Sequence, residues 1–499
     1  MKGQQRLVLI VSILAAFVAF LDGAIVNVAL PAIQHDLGGG LAAQQWIVDA
    51  YLLMLGSFIL IAGSLSDLLG RKRILWLGLL GFGIASLLCA FAPSSGFLIG
   101  ARAVQGIAGA LLVPSSLALI IAAFDGPAQG KAIGTWTAWA GTMAFIIGPL
   151  LGGFLVDAAS WRWIFAVNVI PVAITLYLLA KIELKQNVQN HLPVDIFGAI
   201  LCAIGLGGPI FALIEQQHYG WGSPLIYIPL VIGLFVFGAF LYREATIKYP
   251  MLPPSLFRNH NFSVGNISTL AVYAALGTST FLIVVFLQQV SGYSALQAGL
   301  ALLPVTAIMF FLSPRFGALS GRYGPRLFMG LGPIIAGLGF LLMLRLPADV
   351  NYWTQLLPAI LVFGFGLAMT VAPLTAAILG DVPKQQAGIA SAVNNAVARI
   401  AGLIAVAAIG VIVAAHFSAA LLDSNLLVPE SAIDQAQQAP LVTTPPAPYN
   451  HDKTFQAALT DASVSAFHSG MLVVALLIIS GGVISLIWIR NPSKQAAKG

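Results

Sequence analysis

The chain has 499 residues, of which 59% are hydrophobic and only 8% are charged, and its formal net charge is +6. Soluble domains carry about 25% charged residues and cannot hide so much apolar surface, so the composition excludes a soluble globular protein. Lysine and arginine are scattered one to three at a time, which excludes the basic patch of a nucleic-acid-binding protein.

Apolar runs of about 20 residues, the length that crosses a bilayer, occur fourteen times along the chain. The first is too long for a cleaved signal peptide, so we expect it to remain as a membrane span. Spans 7 and 8 have an alternative interpretation as one re-entrant pair. The predicted spans cover residues 7–33, 44–66, 73–92, 95–124, 131–157, 162–183, 194–215, 223–243, 262–290, 294–318, 326–346, 352–380, 389–416 and 468–490.

The distribution of basic residues predicts the orientation in the cell (inner) membrane. With a cytoplasmic N-terminus, roughly eighteen basic residues fall on cytoplasmic segments and about three fall outside. An odd number of spans would destroy this asymmetry. The pattern therefore favours fourteen spans with both termini in the cytoplasm.

An internal repeat predicts the domain organisation. The segment Gly63-Ser-Leu-Ser-Asp67-Leu-Leu-Gly70-Arg71-Lys72 follows span 2, and Gly317-Ala-Leu-Ser-Gly-Arg322-Tyr-Gly324-Pro-Arg326 follows span 10. Repeated halves of this kind are a known transporter design. We expect an all-α polytopic membrane protein of two six-helix bundles plus two inserted helices. The predicted parts are residues 1–187, the inserted helices 188–250, and residues 251–499.

An external loop, residues 417–467, interrupts the C-terminal bundle between spans 13 and 14. Its proline-rich centre, residues 437–448, is predicted to be irregular. Short helices are predicted on either side of this centre, near Ser431–Ala439 and Thr454–Phe467.

Several motifs together resemble the major facilitator superfamily, and within it the fourteen-helix drug:proton antiporters. They are Gly63-x-Leu-x-Asp67-x-x-Gly70-Arg71-Lys72, Leu21-Asp22-x-x-Ile25-Val26-Asn27, Arg102-x-x-Gln105-Gly106, Gly148-Pro149-Leu-Leu-Gly152-Gly153 preceded by Gly141, and Trp161-Arg162-Trp163 with Asn168 and Pro171. Two positions depart from the family pattern. Ala24 stands where a threonine is usual, and Gly321 replaces the acid of the second repeat.

The resemblance implies a function for each motif. It implies that Arg102 takes part in proton coupling, and that Asp67 with Arg71 and Lys72 forms a conformational latch near Gly63 and Gly70. It also implies that the fifth-span motif packs helices in exporters. Gly134, Gly141 and Gly148 are seven residues apart, which predicts that they share a helix face, and Gly148 with Gly152 forms a small-xxx-small pair, with Pro149 and Gly153 beside them.

Four charged side chains lie well inside the predicted spans, away from the span ends: Asp22, Asp49, Arg102 and Arg399. A charge at this depth costs at least about 2.5–3.5 kcal/mol, so it needs a partner or a function. Asp22, Arg102 and Asp49 are expected to line the outer half of one cavity. Asp22 and Arg102 are the candidate proton-coupling residues, and a static ion pair is the alternative.

Asp49 is the candidate cargo-binding residue, because Trp46-Ile-Val-Asp49-x-Tyr51 places an acid among bulky side chains. Trp46 and Tyr51 would add cation–π contacts to a lipophilic cation. Quaternary-ammonium pumps of the resembled branch carry an acid in this segment. The alternative is that Asp49 only neutralises Arg102.

These patterns predict a proton-coupled exporter of small amphipathic, cationic drugs or toxic compounds. The alternative is a dedicated exporter of an endogenous metabolite, lipid or siderophore. An enzyme is not expected, nor is a metal or other cofactor, since the sequence has no phosphate loop, metal cluster or mid-span histidine. The partners are protons, a small-molecule substrate and the bilayer. The protein is expected to act as a monomer, alone or with accessory envelope proteins.

Overall fold

The computed structural model describes residues 3–491 apart from 125, 184–194, 381, 383–386, 425 and 427. Within these residues the regular structure is helical, as predicted. Fourteen segments are long and apolar enough to cross a membrane, which confirms the predicted number of spans. Spans 7 and 8 are full-length helices rather than a re-entrant pair.

Eighteen α-helices are present in the described residues. In chain order they are α1 (Gly3–Leu37), α2 (Gly40–Leu69), α3 (Arg71–Ala90), α4 (Ser95–Ala123), α5 (Gly126–Trp136), α6 (Met143–Ala158), α7 (Trp163–Ala166), α8 (Val169–Ala180), α9 (Ile196–Tyr219), α10 (Pro224–Thr246), α11 (His260–Gln289), α12 (Ala295–Ala301), α13 (Leu303–Tyr323), α14 (Pro325–Met343), α15 (Leu357–Gly380), α16 (Ala387–Asp423), α17 (Glu430–Gln437) and α18 (Lys453–Trp488).

Two spans of the first half are interrupted. Span 5 consists of α5, a π-helical segment Thr137–Thr142, and α6. The π turn has a different register from the α-helices on either side, and the two described glycines of the motif, Gly141 and Gly148, have unequal surroundings. A Cβ at Gly141 would meet nothing within 4 Å, whereas one at Gly148 would lie 2.7 Å from Ala24 Cβ. The environment of Gly134 lies outside the described residues.

Span 6 restarts after a break at Val167 and Asn168, between α7 and α8. Pro171 lies in the first turn of α8, where its missing N–H leaves no helical hydrogen bond unmade. Val167 and Asn168 keep helical dihedral angles, and the Asn168 N–H group donates to the Phe165 carbonyl oxygen at 3.1 Å, three residues back, so the interruption is a tighter turn within the span.

The end of the chain differs from the prediction. Span 13 extends to Asp423, and the predicted separate helix Thr454–Phe467 is wrong because these residues form the first part of α18. Asp452 caps this helix by accepting hydrogen bonds from the backbone N–H groups of Thr454 and Phe455, at 2.9 and 3.1 Å. No proline interrupts the helix between Lys453 and Trp488. The short helix expected near Ser431–Ala439 is present as α17.

The chain divides into two compact units, residues 1–252 with 293–300, and residues 253–292 with 301–499. The inserted helices α9 and α10 pack on one another inside the first unit, and α9 also packs on α2. Glycines permit the close approach of α9 and α10, since a Cβ at Gly205 would lie 2.8 Å from the Phe237 Cα atom.

The internal repeat is visible as two equivalent turns, one in each half of the chain. A single glycine with positive φ separates α2 from α3 and α13 from α14, at Gly70 (φ 95°) and Gly324 (φ 87°). Two residues later, Lys72 Nζ donates to the carbonyl oxygens of Ala180 and Ile182 at 3.2 and 2.8 Å. At the matching position Arg326 Nε donates to the Leu486 carbonyl oxygen at 2.5 Å. Each cation thus contacts carbonyls at the C-terminal end of the last helix of its half.

Candidate functional site

A buried ion pair lies at the centre of the first unit. Asp22 on α1 is 0% exposed, and its Oδ2 atom lies 2.5 Å from Nη1 of Arg102 on α4, which is 1% exposed. These are the two residues that the sequence predicts for proton coupling, and the fold brings them together. A buried charge pair requires additional hydrogen bonds to offset its desolvation.

Arg102 receives that support from three sides. Its Nε atom donates to the Ile47 carbonyl oxygen at 3.1 Å, and its Nη1 atom donates to Gln105 Oε1 at 2.6 Å. The guanidinium lies 4.2 Å from the centroid of the Tyr51 ring and 5.7 Å from that of Phe165. The arginine is therefore held by hydrogen bonds and by two aromatic faces.

Two carboxamides donate to the other oxygen of Asp22. Gln105 Nε2 lies 2.9 Å from Asp22 Oδ1, and Asn168 Nδ2 lies 3.1 Å from the same atom. Gln105 is also bonded to Ser86 Oγ at 3.0 Å and accepts from Cys89 Sγ at 3.5 Å. The carboxylate oxygens of Asp22 are thus met entirely by donors, as an ionised carboxylate requires.

Glycines set the helix spacing around this network. A Cβ at Gly152 on α6 would lie 2.5 Å from Ile25 Cγ1 on α1, one turn from Asp22. On α4, a Cβ at Gly109 would lie 3.1 Å from the Tyr51 hydroxyl oxygen. Small residues therefore allow α6 to approach α1, and α4 to approach α2, closely enough for the polar side chains to meet.

Asp49 on α2 lies apart from the ion pair. It is 0% exposed, and neither carboxylate oxygen has a hydrogen-bond partner. The charge of Arg102 is met by Asp22 instead, so the interpretation of Asp49 as the partner of Arg102 does not hold. A buried carboxyl without partners is costly, which makes Asp49 a candidate ligand-binding side chain.

The two aromatic residues predicted beside Asp49 lie on different faces of α2. Trp46 Nε1 donates to Glu215 Oε1 on α9 at 2.8 Å, and its ring lies 6.1 Å from the Phe211 ring. Tyr51 is 2% exposed and covers Arg102. The structure therefore assigns Trp46 to the contact with the inserted helices and Tyr51 to the ion pair.

The predicted latch is described only in part. The environments of Gly63 and of the Asp67 side chain lie outside the described residues. Gly70 forms the turn described above, Arg71 Nη1 donates to the Ala118 carbonyl oxygen on α4 at 3.0 Å, and Lys72 binds the end of α8. Its two cations therefore tie the loop to the ends of two neighbouring helices.

The fifth-span motif packs against α12 as well as against α1. A Cβ at Gly153 would lie 2.7 Å from the Leu296 backbone nitrogen, and one at Gly299 would lie 2.5 Å from the Pro149 carbonyl oxygen. Asp157 accepts hydrogen bonds from the backbone N–H groups of Ala295 and Leu296 at 3.1 and 2.9 Å. Asp157 thus caps the N-terminal end of α12.

Several of these polar residues were not predicted as site residues, namely Gln105, Asn168, Ser86 and Glu215. Gln105 and Asn168 are in motifs, and each is a polar residue inside an apolar run, which was the available signal. In the second unit, Asn394 Nδ2 donates to Thr269 Oγ1 at 2.8 Å and to Asn266 Oδ1 at 3.2 Å, and Arg399 lies half-buried on the same helix, α16. Among the described residues no group of three or more metal-ligating side chains occurs.

The sequence profile of the Major Facilitator Superfamily matches residues 12–406. The multidrug resistance protein Stp of Mycobacterium tuberculosis is 35% identical over 426 residues, which cover 84% of this chain and 78% of that protein. The methylenomycin A resistance protein of Bacillus subtilis is 35% identical over 83% of this chain and 88% of its own length.

A solved structure shares the fold at low sequence identity. It is that of a bacterial homolog to the human lysosomal transporter Spinster, with a TM-score of 0.69, 14% identity, and coverage of 99% of this chain and 100% of that chain. The matching profile, the two relatives and the fourteen spans lead to one conclusion: this chain belongs to the major facilitator superfamily and is a multi-pass membrane transporter, not an enzyme.

Proposed function

We propose that this protein is a drug exporter that exchanges protons for small amphipathic, cationic compounds. Relatives named for multidrug resistance and for methylenomycin A resistance support drug efflux. The observation that carries the proposal is the buried pairing of Asp22 with Arg102, together with the unpartnered carboxyl of Asp49.

Asp22 is the proton carrier in this proposal. Its carboxylate is held by donors from three side chains, two on α4 and one between α7 and α8, so neutralising it changes the contacts of all three. A proton that enters down the membrane potential releases about 2.3 kcal/mol per 100 mV, enough to drive a useful concentration of cargo. Arg102 acts as the partner whose attraction to Asp22 is present in one protonation state and absent in the other.

Asp49 discriminates cargo by charge. An organic cation with a delocalised charge loses its hydration cheaply and gains Coulomb attraction to a carboxylate in a low-dielectric surrounding. Because Trp46 and Tyr51 are committed to Glu215 and Arg102, the proposal assigns the charge contact to Asp49 and gives the two aromatic residues supporting positions.

Asp67 and Arg71 act as the latch of one conformation in this proposal, with Gly63, Gly70 and Lys72 forming the loop around them. Removing a charge-assisted hydrogen bond that exists in one conformation shifts the population towards the other. We expect Asp67→Ala to change the cysteine labelling of the outer cavity. Unchanged labelling together with unchanged transport would leave the motif without this function.

The decisive experiment uses purified protein in liposomes that contain a pH-sensitive dye. Adding ethidium on one side should drive proton movement across the membrane, and an uncoupler should remove ethidium accumulation. A channel would dissipate both gradients without a fixed ratio. Ethidium transport that ignores the proton gradient would contradict the coupling.

A dedicated exporter of one endogenous metabolite, lipid or siderophore is the second candidate. The relative named for a single compound, methylenomycin A, favours it. A resistance panel in a pump-deficient host separates the two, because a drug exporter should protect against several unrelated cations and a dedicated exporter against none or one.

A further inference from the structure

The two carboxamides that donate to Asp22 differ in how firmly they are held. Gln105 uses both ends of its amide: Nε2 binds Asp22 and Ser86, and Oε1 accepts from Arg102 and Cys89. Asn168 uses only one end. Its Nδ2 atom donates to Asp22 Oδ1 at 3.1 Å, while its Oδ1 atom is buried and has no hydrogen-bond partner.

This difference matters when Asp22 takes up a proton. An ionised carboxylate only accepts hydrogen bonds, but a protonated carboxyl also carries one O–H donor. All the groups around Asp22, namely Arg102 Nη1, Gln105 Nε2 and Asn168 Nδ2, are donors in the observed arrangement. The new O–H group would therefore have no acceptor, and water does not reach it because Asp22 and the residues that donate to it are buried. A buried donor without an acceptor is strongly unfavourable.

We propose that Asn168 is a positioning residue for proton coupling, whose carboxamide turns over to accept the Asp22 proton. In the ionised state Nδ2 donates to the carboxylate, as observed. When the proton binds Asp22 Oδ1, a rotation about the Cβ–Cγ bond exchanges the two ends of the amide and presents Asn168 Oδ1 to the O–H group. The proton stays on Asp22, and no covalent bond other than O–H forms.

Two features make Asn168 the residue that turns. Rotation of Gln105 would break its bonds to Ser86, Cys89, Arg102 and Asp22. Rotation of Asn168 gives up one bond, from Nδ2 to Asp22, and replaces it with one from the Asp22 O–H group to Oδ1, so one end of the amide is without a partner before and after the turn. Asn168 also lies at the tighter turn between α7 and α8, where its N–H group bonds to the carbonyl oxygen three residues back instead of four. The charged and titratable side chains facing this point are Asp22 from α1, Arg102 from α4, Tyr51 from α2 and Cys89 from α3.

The inference rests on the proposed function, because it requires Asp22 to be protonated during transport. Infrared difference spectroscopy between alkaline and acidic pH tests both the protonation of Asp22 and the role of Asn168. The C=O stretch of a protonated carboxyl moves to higher wavenumber when its O–H loses an acceptor. The band of Asp22 is identified in the wild type by its loss in Asp22→Asn.

We expect the Asp22 band to shift upward in Asn168→Leu, which has a similar shape and no polar atom. Asn266→Leu is the matched control, since it makes the same substitution at a buried asparagine of the second unit that is not one of the donors to Asp22, and it should leave the band in place. If the leucine variant does not reach the membrane folded, Asn168→Ala tests the same loss. Ethidium efflux should fall about tenfold in the Asn168 variants, the size expected for one unmet buried hydrogen bond.

The outcomes distinguish the inference from the proposed function. An Asp22 band that is present in the wild type and unchanged in both Asn168 variants overturns the inference and leaves Asp22 as a proton carrier. The absence of any Asp22 band between the two pH values overturns the coupling role of Asp22, and the inference with it.

Discussion

Removing one partner of the Asp22–Arg102 pair leaves the other as an uncompensated buried charge. Breaking a buried pair in this way costs about 3–5 kcal/mol. Asp22→Asn keeps the shape of the side chain and loses the titratable proton, so we expect it to abolish proton-driven ethidium efflux. Arg102→Ala should do the same. Everted vesicles with a fluorescent proton indicator measure the loss.

Asp36→Asn is the control for this prediction. Asp36 lies on the same helix as Asp22, but its ion pair with Arg162 is exposed, and exposed pairs contribute about 0–1 kcal/mol. The variant should reach the membrane and keep coupled efflux. Uncoupler-sensitive efflux at the wild-type rate in Asp22→Asn would exclude Asp22 as the coupling residue.

The role of Asp49 can be tested by comparing the export of cationic and neutral cargo. Asp49→Asn replaces a buried carboxyl that has no hydrogen-bond partner with an amide of the same shape, so the fold should tolerate it better than Asp22→Asn. We expect resistance to ethidium and quaternary ammonium compounds to fall at least tenfold, while neutral cargo is still exported. A resistance panel in a pump-deficient host gives the comparison. An equal loss of resistance to neutral and cationic compounds would contradict the proposal that Asp49 recognises the charge of the cargo.

At the scale of the helix, the glycines of span 5 have unequal functions. A Cβ at Gly148 would lie 2.7 Å from Ala24 Cβ, which forces α6 away from α1, and overpacking of this kind costs about 1–3 kcal/mol. Gly148→Ala should therefore lower the thermal stability of the detergent-solubilised protein and reduce efflux. Gly141→Ala is the matched control, because its Cβ would meet nothing within 4 Å. Similar effects of the two variants would argue against packing as the reason.

The start of α9 depends on Asp195. Its carboxylate accepts from the Gly198 backbone N–H at 2.8 Å and from two nitrogen atoms of Arg243 at 2.9–3.1 Å. Burial acts to raise the pKa of Asp195, but the hydrogen bonds from Arg243 and Gly198 outweigh it and hold the pKa below its ordinary value. A lowered pKa means that the stabilisation is present above the ordinary pKa of about 3.9 and is lost as the pH falls through the lowered value.

Asp195→Ala should consequently reduce the free energy of unfolding by about 1–2 kcal/mol at neutral pH, the size of a lost cap and charged hydrogen bonds. The difference from the wild type should shrink as the pH falls below about 3.9. Thermal unfolding in detergent across this pH range measures it. A difference that stays constant in acid would mean that the carboxylate charge is not the cause.

At the scale of the molecule, the predicted topology is open to a direct measurement. The native cysteines Cys89 and Cys202 are buried, so an introduced cysteine at an exposed position supplies the label. With both termini cytoplasmic, Gln435→Cys on α17 should react with a membrane-impermeant maleimide in intact cells, and Arg73→Cys should react only after lysis. The reverse pattern would invert the orientation.

The spans were predictable because each is a local property: about 20 apolar residues satisfy their own backbone hydrogen bonds and bury themselves in lipid. The sequence predicted a helix near Thr454–Phe467 but not that it continues into span 14 as one helix, for a related reason. Its apolar residues, such as Phe455 and Phe467, are spaced among polar ones, and they are covered by protein rather than by lipid. The ring of Phe467 stacks on Phe286 with centroids 4.0 Å apart, a contact between distant parts of the chain.

The sequence by itself determined the membrane class, the number of spans and the family. It also singled out Asp22 and Arg102 as candidates, since charges in apolar runs are rare and costly. Only the tertiary structure decided which charges meet. It paired Arg102 with Asp22 rather than with Asp49, turned Trp46 towards α9 and Tyr51 towards α4, and brought Asn168 to the carboxylate. The physical reason is that partner choice depends on helix rotation and on close approach at glycines, and both are set by packing between segments far apart in the sequence.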